Sequence, residues 1–159
     1  MLSDAAFTGY VEQYMDMVFR LAYSYLKNRP DAEDTAQTVF LKLYRSDKPF
    51  AGGEHVKHWL LRVTVNECRK LLRSPAHGQP GLDSVGEPAV PADTRRTELL
   101  DAVMRLKPPY RAALYLYYYE DCSTAEMARI LSIPRATVLT HLRRAREALK
   151  KEWTEADHV

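Results

Sequence analysis

An all-α fold is predicted for this chain: two small helical bundles joined by a Pro/Gly-rich flexible linker, the second bundle containing a helix-turn-helix. Three observations predict it. Apolar residues recur at three- and four-residue steps on both sides of the linker, as one buried helix face requires. From Pro75 to Pro91, the stretch PAHGQPGLDSVGEPAVP carries four prolines and three glycines, holds no helix and shows no strand alternation. Near the C-terminal end, the capping sequence STAE and the turn Ser132–Ile133–Pro134 separate two short amphipathic segments.

The elements follow in chain order. Phe7, Tyr10, Val11, Tyr14, Val18, Leu21 and Tyr25 form the stripe of a first helix, which Asn28–Arg29–Pro30 ends. Asp31 is expected to cap a second helix, with Asp34 in its first turn, where negative charge suits the helix dipole. Its stripe is Ala36, Val39, Phe40, Leu43 and Tyr44. SDKPFAGGEH reads as a loop, and a third helix runs from about Val56 to Leu72. The first domain therefore spans residues 1–74, the linker 75–95 and the second domain 96–159. In the second, helices are expected over Thr97–Leu106, which stops at Pro108–Pro109, and over Tyr110–Tyr119. The tyrosine run Tyr115, Tyr117, Tyr118, Tyr119 reads as core and rim of this bundle. Each domain is small and buries little core, so each alone is expected to be modestly stable.

Charge narrows the function. Lys plus Arg is 23 and Asp plus Glu is 21, so the balance is nearly neutral, but the cations are unevenly placed. Arg129, Arg135, Arg143, Arg144, Arg146, Lys150 and Lys151 face the single acid Glu147, and Lys57, Arg62, Arg69, Lys70 and Arg73 face Glu67. Two basic stretches point to two contacts with a polyanion, against the plainer reading of solvated helix faces. The two cysteines, Cys68 and Cys122, give no disulfide framework. With no apolar run long enough for a membrane span and no signal-like N-terminus, a cytoplasmic location is expected.

In the C-terminal motif Ser123 and Glu126 open a helix carrying Met127, Ala128, Ile130 and Leu131. Pro134 marks the start of the next, because proline is tolerated in a first turn. There Val138, Leu142, Ala145 and Leu149 point inward. The opposite face offers Ala136, Thr140 and Arg143, flanked by Arg135, Thr137, Arg144 and Leu139. A small, polar and cationic face fits a DNA major groove, where an ordinary helical hairpin would need none of it. In the third helix Leu61, Val65, Cys68 and Leu72 form the inner stripe. Trp59, Arg62, Asn66, Arg69 and Arg73 form a second row, offering an aromatic, an amide and three cations to a single strand. Trp59 also fits a core role. Asp34, Gln37 and Thr38 lie off the stripe of the second helix.

Taken together, these segments resemble an extracytoplasmic-function sigma factor of bacterial RNA polymerase, of the sigma-70 family, over essentially Phe7 to Trp153. DAEDTAQTVFLKLYR (Asp31 to Arg45) is similar to the family segment that docks on the clamp coiled coil of the polymerase largest subunit. That resemblance implies polymerase contacts by Asp34, Gln37, Thr38, Phe40 and Leu41. HWLLRVTVNECRKLLR (His58 to Arg73) resembles the helix that captures the minus-ten element, implying that role for Trp59, Arg62, Asn66, Arg69 and Arg73. LKPPYRAALYLYYYEDCSTAEMARILSIPRATVLTHLRRARE resembles the region reading the minus-thirty-five element, which assigns that role to Arg135, Ala136, Thr137, Thr140, Arg143 and Arg144. The resemblance further implies core polymerase, its flap region, promoter DNA and an anti-sigma factor as partners. The chain departs from the family in four places: Ser132 replaces the glycine of the turn, Leu139 and His141 replace two cations, Thr38 replaces an acid, and the minus-ten loop is short.

Other classes fit less well. Cys68 would lie about 15 Å along the helix from His58, too far for a metal site with His55. No nucleophile–base pair or phosphate-cradling loop suggests an enzyme, a cofactor or a small-molecule substrate. A stand-alone helix-turn-helix regulator with an N-terminal dimerisation or sensing domain is the alternative. A pure interaction protein would not need the basic helix.

Overall fold

A computed structural model of the protein describes residues 2–74 and 94–157, with side chains over 2–74 and 99–151. The expected linker therefore lies outside the described residues, save its last two positions. The described residues are helical with no strand, and none of their helices is long and apolar enough to cross a membrane. They fall into two compact units.

The first unit holds α1 (Asp4–Leu26), α2 (Arg29–Arg45) and α3 (Gly53–Leu72). Ser3 caps α1, its hydroxyl accepting from the Ala6 N–H at 3.1 Å. The cap of α2 differs from expectation. Asn28, not Asp31, fills it, accepting from the Asp31 N–H at 2.9 Å. Pro30 has no N–H to lose in the first turn, so the helix starts upstream of it, and Asp34 moves into the second turn. α3 likewise begins three residues before Val56, where Gly52 turns the chain at φ +143°. Val18, Leu21, Val39, Leu43, Val56, Leu60, Leu61 and Val65 fill the core. Inside that core, Thr64 donates to the Leu60 carbonyl at 2.6 Å, so its hydroxyl is satisfied within its own helix. A Lys42–Glu67 ion pair joins α2 to α3 at the rim.

The second unit holds α4 (Thr94–Met104), α5 (Pro108–Leu114), a π-helical segment (Tyr115–Tyr119), α6 (Thr124–Leu131) and α7 (Arg135–Asp157). α4 thus begins inside the expected linker. The single helix expected over Tyr110–Tyr119 is two pieces. It opens at Pro108, and its last turn widens so that the Glu120 N–H reaches the Tyr115 carbonyl at 3.2 Å. Leu116 is buried, and an α-helical turn would carry Tyr119 inward after it. The wider turn puts Tyr118 and Tyr119 in solvent, 58% and 57% exposed, with Tyr119 stacked on Tyr115. The tyrosine run therefore forms rim, and Leu116 supplies the core. Ala112, Met127, Val138, Leu142 and Ala145 complete that core, while Leu149 is only half-buried.

Both arms of the Ser123–Glu126 capping box are formed. Ser132 ends α6 in the left-handed region at φ 53°, and the Ile133 N–H returns to the Ala128 carbonyl at 3.1 Å. A side chain there costs roughly 1 kcal/mol, whereas glycine adopts the conformation freely. Ser132→Gly is therefore expected to raise the stability of the second unit by about 0.5–1 kcal/mol in thermal unfolding. A lowered midpoint would mean that the serine side chain supports the turn.

Candidate nucleic-acid interface

Burial on α7 divides the helix cleanly. Val138, Leu142 and Ala145 are buried, while Arg135, Ala136, Arg143 and Arg144 are exposed. Thr137 and Thr140 are half-buried between them, and the Thr140 hydroxyl donates back to the Ala136 carbonyl at 3.0 Å. Leu139 is 46% exposed and adds an apolar contact to the face. His141 turns the other way, half-buried and edge-on to the Tyr110 ring at 5.4 Å. It belongs to the packing of the unit, so its position lacks a cation for a structural reason. Arg143 approaches Glu147 at 3.9 Å in an exposed pair that leaves its charge largely available. Arg135 instead donates through Nε to the Thr124 hydroxyl of α6 at 2.8 Å. Arg146 is held away from this face, its guanidinium over Tyr117 and Tyr118 and its Nε donating to the Tyr118 hydroxyl at 2.7 Å.

On α3 the expected row is partly assembled. Arg62, Asn66 and Arg73 are exposed. Arg69 is half-buried and hydrogen-bonded to the Tyr25 hydroxyl, so this cation serves the bundle as well as its surface. Burial pushes that hydroxyl up to about 12, and Arg69 opposes the rise. Trp59 is neither core nor a free platform. It stands half-buried, edge-on to Phe50 at 5.5 Å, and Phe50 also meets His55 at 5.2 Å. The Ala51 N–H donates to His55 Nδ1 at 2.9 Å. Phe50 was not singled out in the sequence; its only signal there is an aromatic in an otherwise polar loop. Cys68, on the inner stripe, is fully buried, and burial pushes its thiol up to about 12.

On α2, Asp34, Gln37, Thr38 and Leu41 lie on one exposed surface, with Leu41 48% exposed. The Thr38 hydroxyl bonds the Asp34 carbonyl at 3.0 Å, which holds it along the helix. Phe40, the remaining residue of the expected contact set, lies inward. It is 4% exposed, because it follows Val39 into the core on the stripe Ala36–Val39–Phe40–Leu43. Tyr44, 42% exposed and edge-on to Phe7 at 5.1 Å, extends the exposed surface past Leu41.

A first helical unit with a polar–apolar row and a cationic row, followed by a unit presenting a cationic helix-turn-helix, defines a two-domain nucleic-acid-directed factor. Residues 10–77 match the Sigma-70 region 2 family and residues 96–149 the Sigma-70, region 4 family. The chain is 30% identical over 165 residues to the ECF RNA polymerase sigma factor SigW of Bacillus subtilis, covering 92% of this chain and 88% of that one. It is 30% identical over 153 residues to SigM of Mycobacterium tuberculosis, covering 92% and 76%. Among solved structures, the fold is similar to sigma factor RpoE in complex with the anti-sigma factor NepR from Bartonella quintana (TM-score 0.69, 20% identity, 91% and 94% covered). It is also similar to CnrH in complex with the cytosolic domain of CnrY (TM-score 0.65, 21% identity, 96% and 90% covered). The chain belongs to the extracytoplasmic-function sigma factors of the sigma-70 family and is an RNA polymerase sigma factor. Family membership sets aside the stand-alone regulator.

Proposed function

We propose that the two units divide promoter recognition. The first unit, residues 1–74, docks on the clamp coiled coil of the polymerase largest subunit through Asp34, Gln37, Thr38 and Leu41. It then takes the opened minus-ten strand with Arg62, Asn66 and Arg73, with Trp59 as the stacking edge and Arg69 as a shared cation. The second unit, residues 96–159, sits by the flap region and reads the minus-thirty-five duplex with Arg135, Ala136, Thr137, Thr140, Arg143 and Arg144. The observation that carries this reading is the division of α7: its apolar residues are buried, and the residues left outside are small, polar and cationic. The factor works in the cytoplasm without a catalytic step, cofactor or small-molecule substrate of its own. The two structures of similar fold contain an anti-sigma factor and the cytosolic domain of CnrY, which supports an anti-sigma partner for this chain.

Transcription reconstituted with core enzyme on a promoter library tests the function, and one substitution tests the docking row. Asp34 is exposed and beyond the first turn of α2, so Asp34→Lys should leave the helical signal and melting unchanged. Its reversed charge should weaken association with core polymerase by about tenfold or more. Co-migration with core equal to wild type would remove Asp34 from the interface.

A further inference from the structure

We infer that Thr124 is a positioning residue for base readout, fixing Arg135 so that its terminal guanidinium edge faces the DNA. The inference rests on the reading of α7 as the duplex-contacting helix.

Arg135 is the first residue of α7, directly after Pro134, whose carbonyl accepts from the Thr137 and Val138 N–H groups at 3.0 and 3.1 Å. A cation there opposes the helix dipole, and no acid lies in that first turn to offset it. Helix stability alone therefore gives no reason for an arginine at this position. Its exposed guanidinium has one hydrogen-bond partner among the described residues, the Thr124 hydroxyl, reached through Nε at 2.8 Å across the turn between α6 and α7. Two consequences follow from the chemistry of that partner. A hydroxyl is neutral, so the full positive charge stays available to a polyanion. Carboxylates would fix the side chain equally well but would cancel it. A guanidinium also presents its donors as a rigid planar fork. With Nε occupied by Thr124, the two Nη groups remain as one bidentate edge, the edge that matches O6 and N7 of a guanine.

The anchor itself is well placed to hold still. Thr124 is the first residue of α6, immediately after Ser123, and both arms of the capping box lock that end. One half of the helix-turn-helix thus aims a side chain of the other. Arg143 has no such fixture, since its neighbour Glu147 is an exposed charged group at 3.9 Å. Arg135 is therefore the better candidate for a base-reading cation, and Arg143 and Arg144 for backbone contact.

The test uses the full chain with core polymerase and a pool of promoter duplexes randomised over the upstream element. Base preference and the salt slope of binding are measured for wild type, Arg135→Ala, Thr124→Val and Thr124→Ser. Arg135→Ala should flatten the preference at one position. Thr124→Val keeps the shape and removes the acceptor. It should lower discrimination at that same position by about tenfold. Because the charge remains, its salt slope should equal that of wild type. Thr124→Ser should restore discrimination. If Arg135→Ala flattens a position and Thr124→Val does not, the positioning role is wrong and the reading of α7 stands. If Arg135→Ala flattens nothing, Arg135 reads no base and the inference falls, while Arg143 and Arg144 still test α7. A uniform loss across all sequences in Thr124→Val, with discrimination intact, also overturns it.

Discussion

Replacing Arg111 with alanine is expected to unfold most of the second unit while leaving the first intact. Arg111 lies on α5 and is only 6% exposed. Its guanidinium donates to the Leu106 carbonyl and, at 3.5 Å, to the Met104 carbonyl. The need for it comes from the sequence around it. α4 ends at Met104; the Arg105 and Leu106 N–H groups serve the Asp101, Ala102 and Val103 carbonyls, which leaves that of Met104. The chain that follows soon reaches Pro108–Pro109, which has no N–H to give. A side chain must therefore supply what the backbone cannot. Removing it strands the buried Leu106 carbonyl and the part-buried Met104 carbonyl, the first at about 1–3 kcal/mol and the second at less, and deletes the packing of the arginine stem. The total, about 3–5 kcal/mol, approaches the whole stability of a unit this small. α4 packs on α7, so its release also withdraws support from α7. Thermal unfolding of the full chain should show the α1–α3 transition unmoved and the other lowered by roughly 4–8 °C per kcal/mol lost. Arg111→Lys should recover part of the loss, since an ammonium reaches one carbonyl more easily than two. A drop below about 1 kcal/mol for alanine would mean that water replaces the guanidinium at this helix end.

How far the sequence revealed these features depends on how local their causes are. The capping box at Ser123 and Glu126 and the turn at Ser132 are short-range devices, and both were legible. So were most positions of the inner stripes of α2, α3 and α7, because a period near 3.6 follows directly from burying one helix face; Tyr44 is exposed, and Leu72 and Leu149 are half-buried at the stripe ends. Asp31 and Asn28 are both good caps, so the start of α2 turns on the tolerance for Pro30 inside the first turn, which local propensity leaves open. The widened turn at Tyr115–Tyr119 was not legible. It keeps Leu116 buried and Tyr118 and Tyr119 exposed, an outcome no local pattern records. Phe40 shows the other limit. A family segment names residues by position, but the core stripe decides which of them face outward, and Phe40 faces in. The long-range partners of Arg69 and Arg135, namely Tyr25 and Thr124, lie 44 and 11 residues away by sequence number, so periodicity could not identify them. The nature of the two faces was readable; the fixtures that aim their cations were not.

Outside the polymerase, the free chain should bind DNA weakly, with strong salt dependence and almost no sequence preference; with core enzyme, it should select a two-part site of fixed spacing. A single helix covers little of a duplex, and the outer face of α7 includes the apolar Leu139 while His141 is turned toward Tyr110. What remains outside is mostly charge, and charge contacts are sequence-blind with dissociation constants of about 10⁻⁴–10⁻⁶ M near physiological salt. Repressors offset the weakness of one helix by pairing two half-sites through a dimer. In the proposed division the second reader is of a different kind, the α3 row offered to a single strand. The segment between them, residues 75–95, is rich in proline and glycine by composition. Both units held on one large scaffold would have their separation set by it, and the gain over either alone should be about 10²–10⁴. Gel-shift titrations at constant salt, with and without core polymerase, measure this directly. The free chain should lose affinity steeply between low and moderate salt, and shuffled duplex should compete as well as promoter. In the complex, altering the spacer by several base pairs should abolish selection even with both elements unchanged. Tight, sequence-specific binding by the free chain, above all as a dimer on a palindrome, would show that the helix-turn-helix is sufficient and that the division of labour between the two units is wrong.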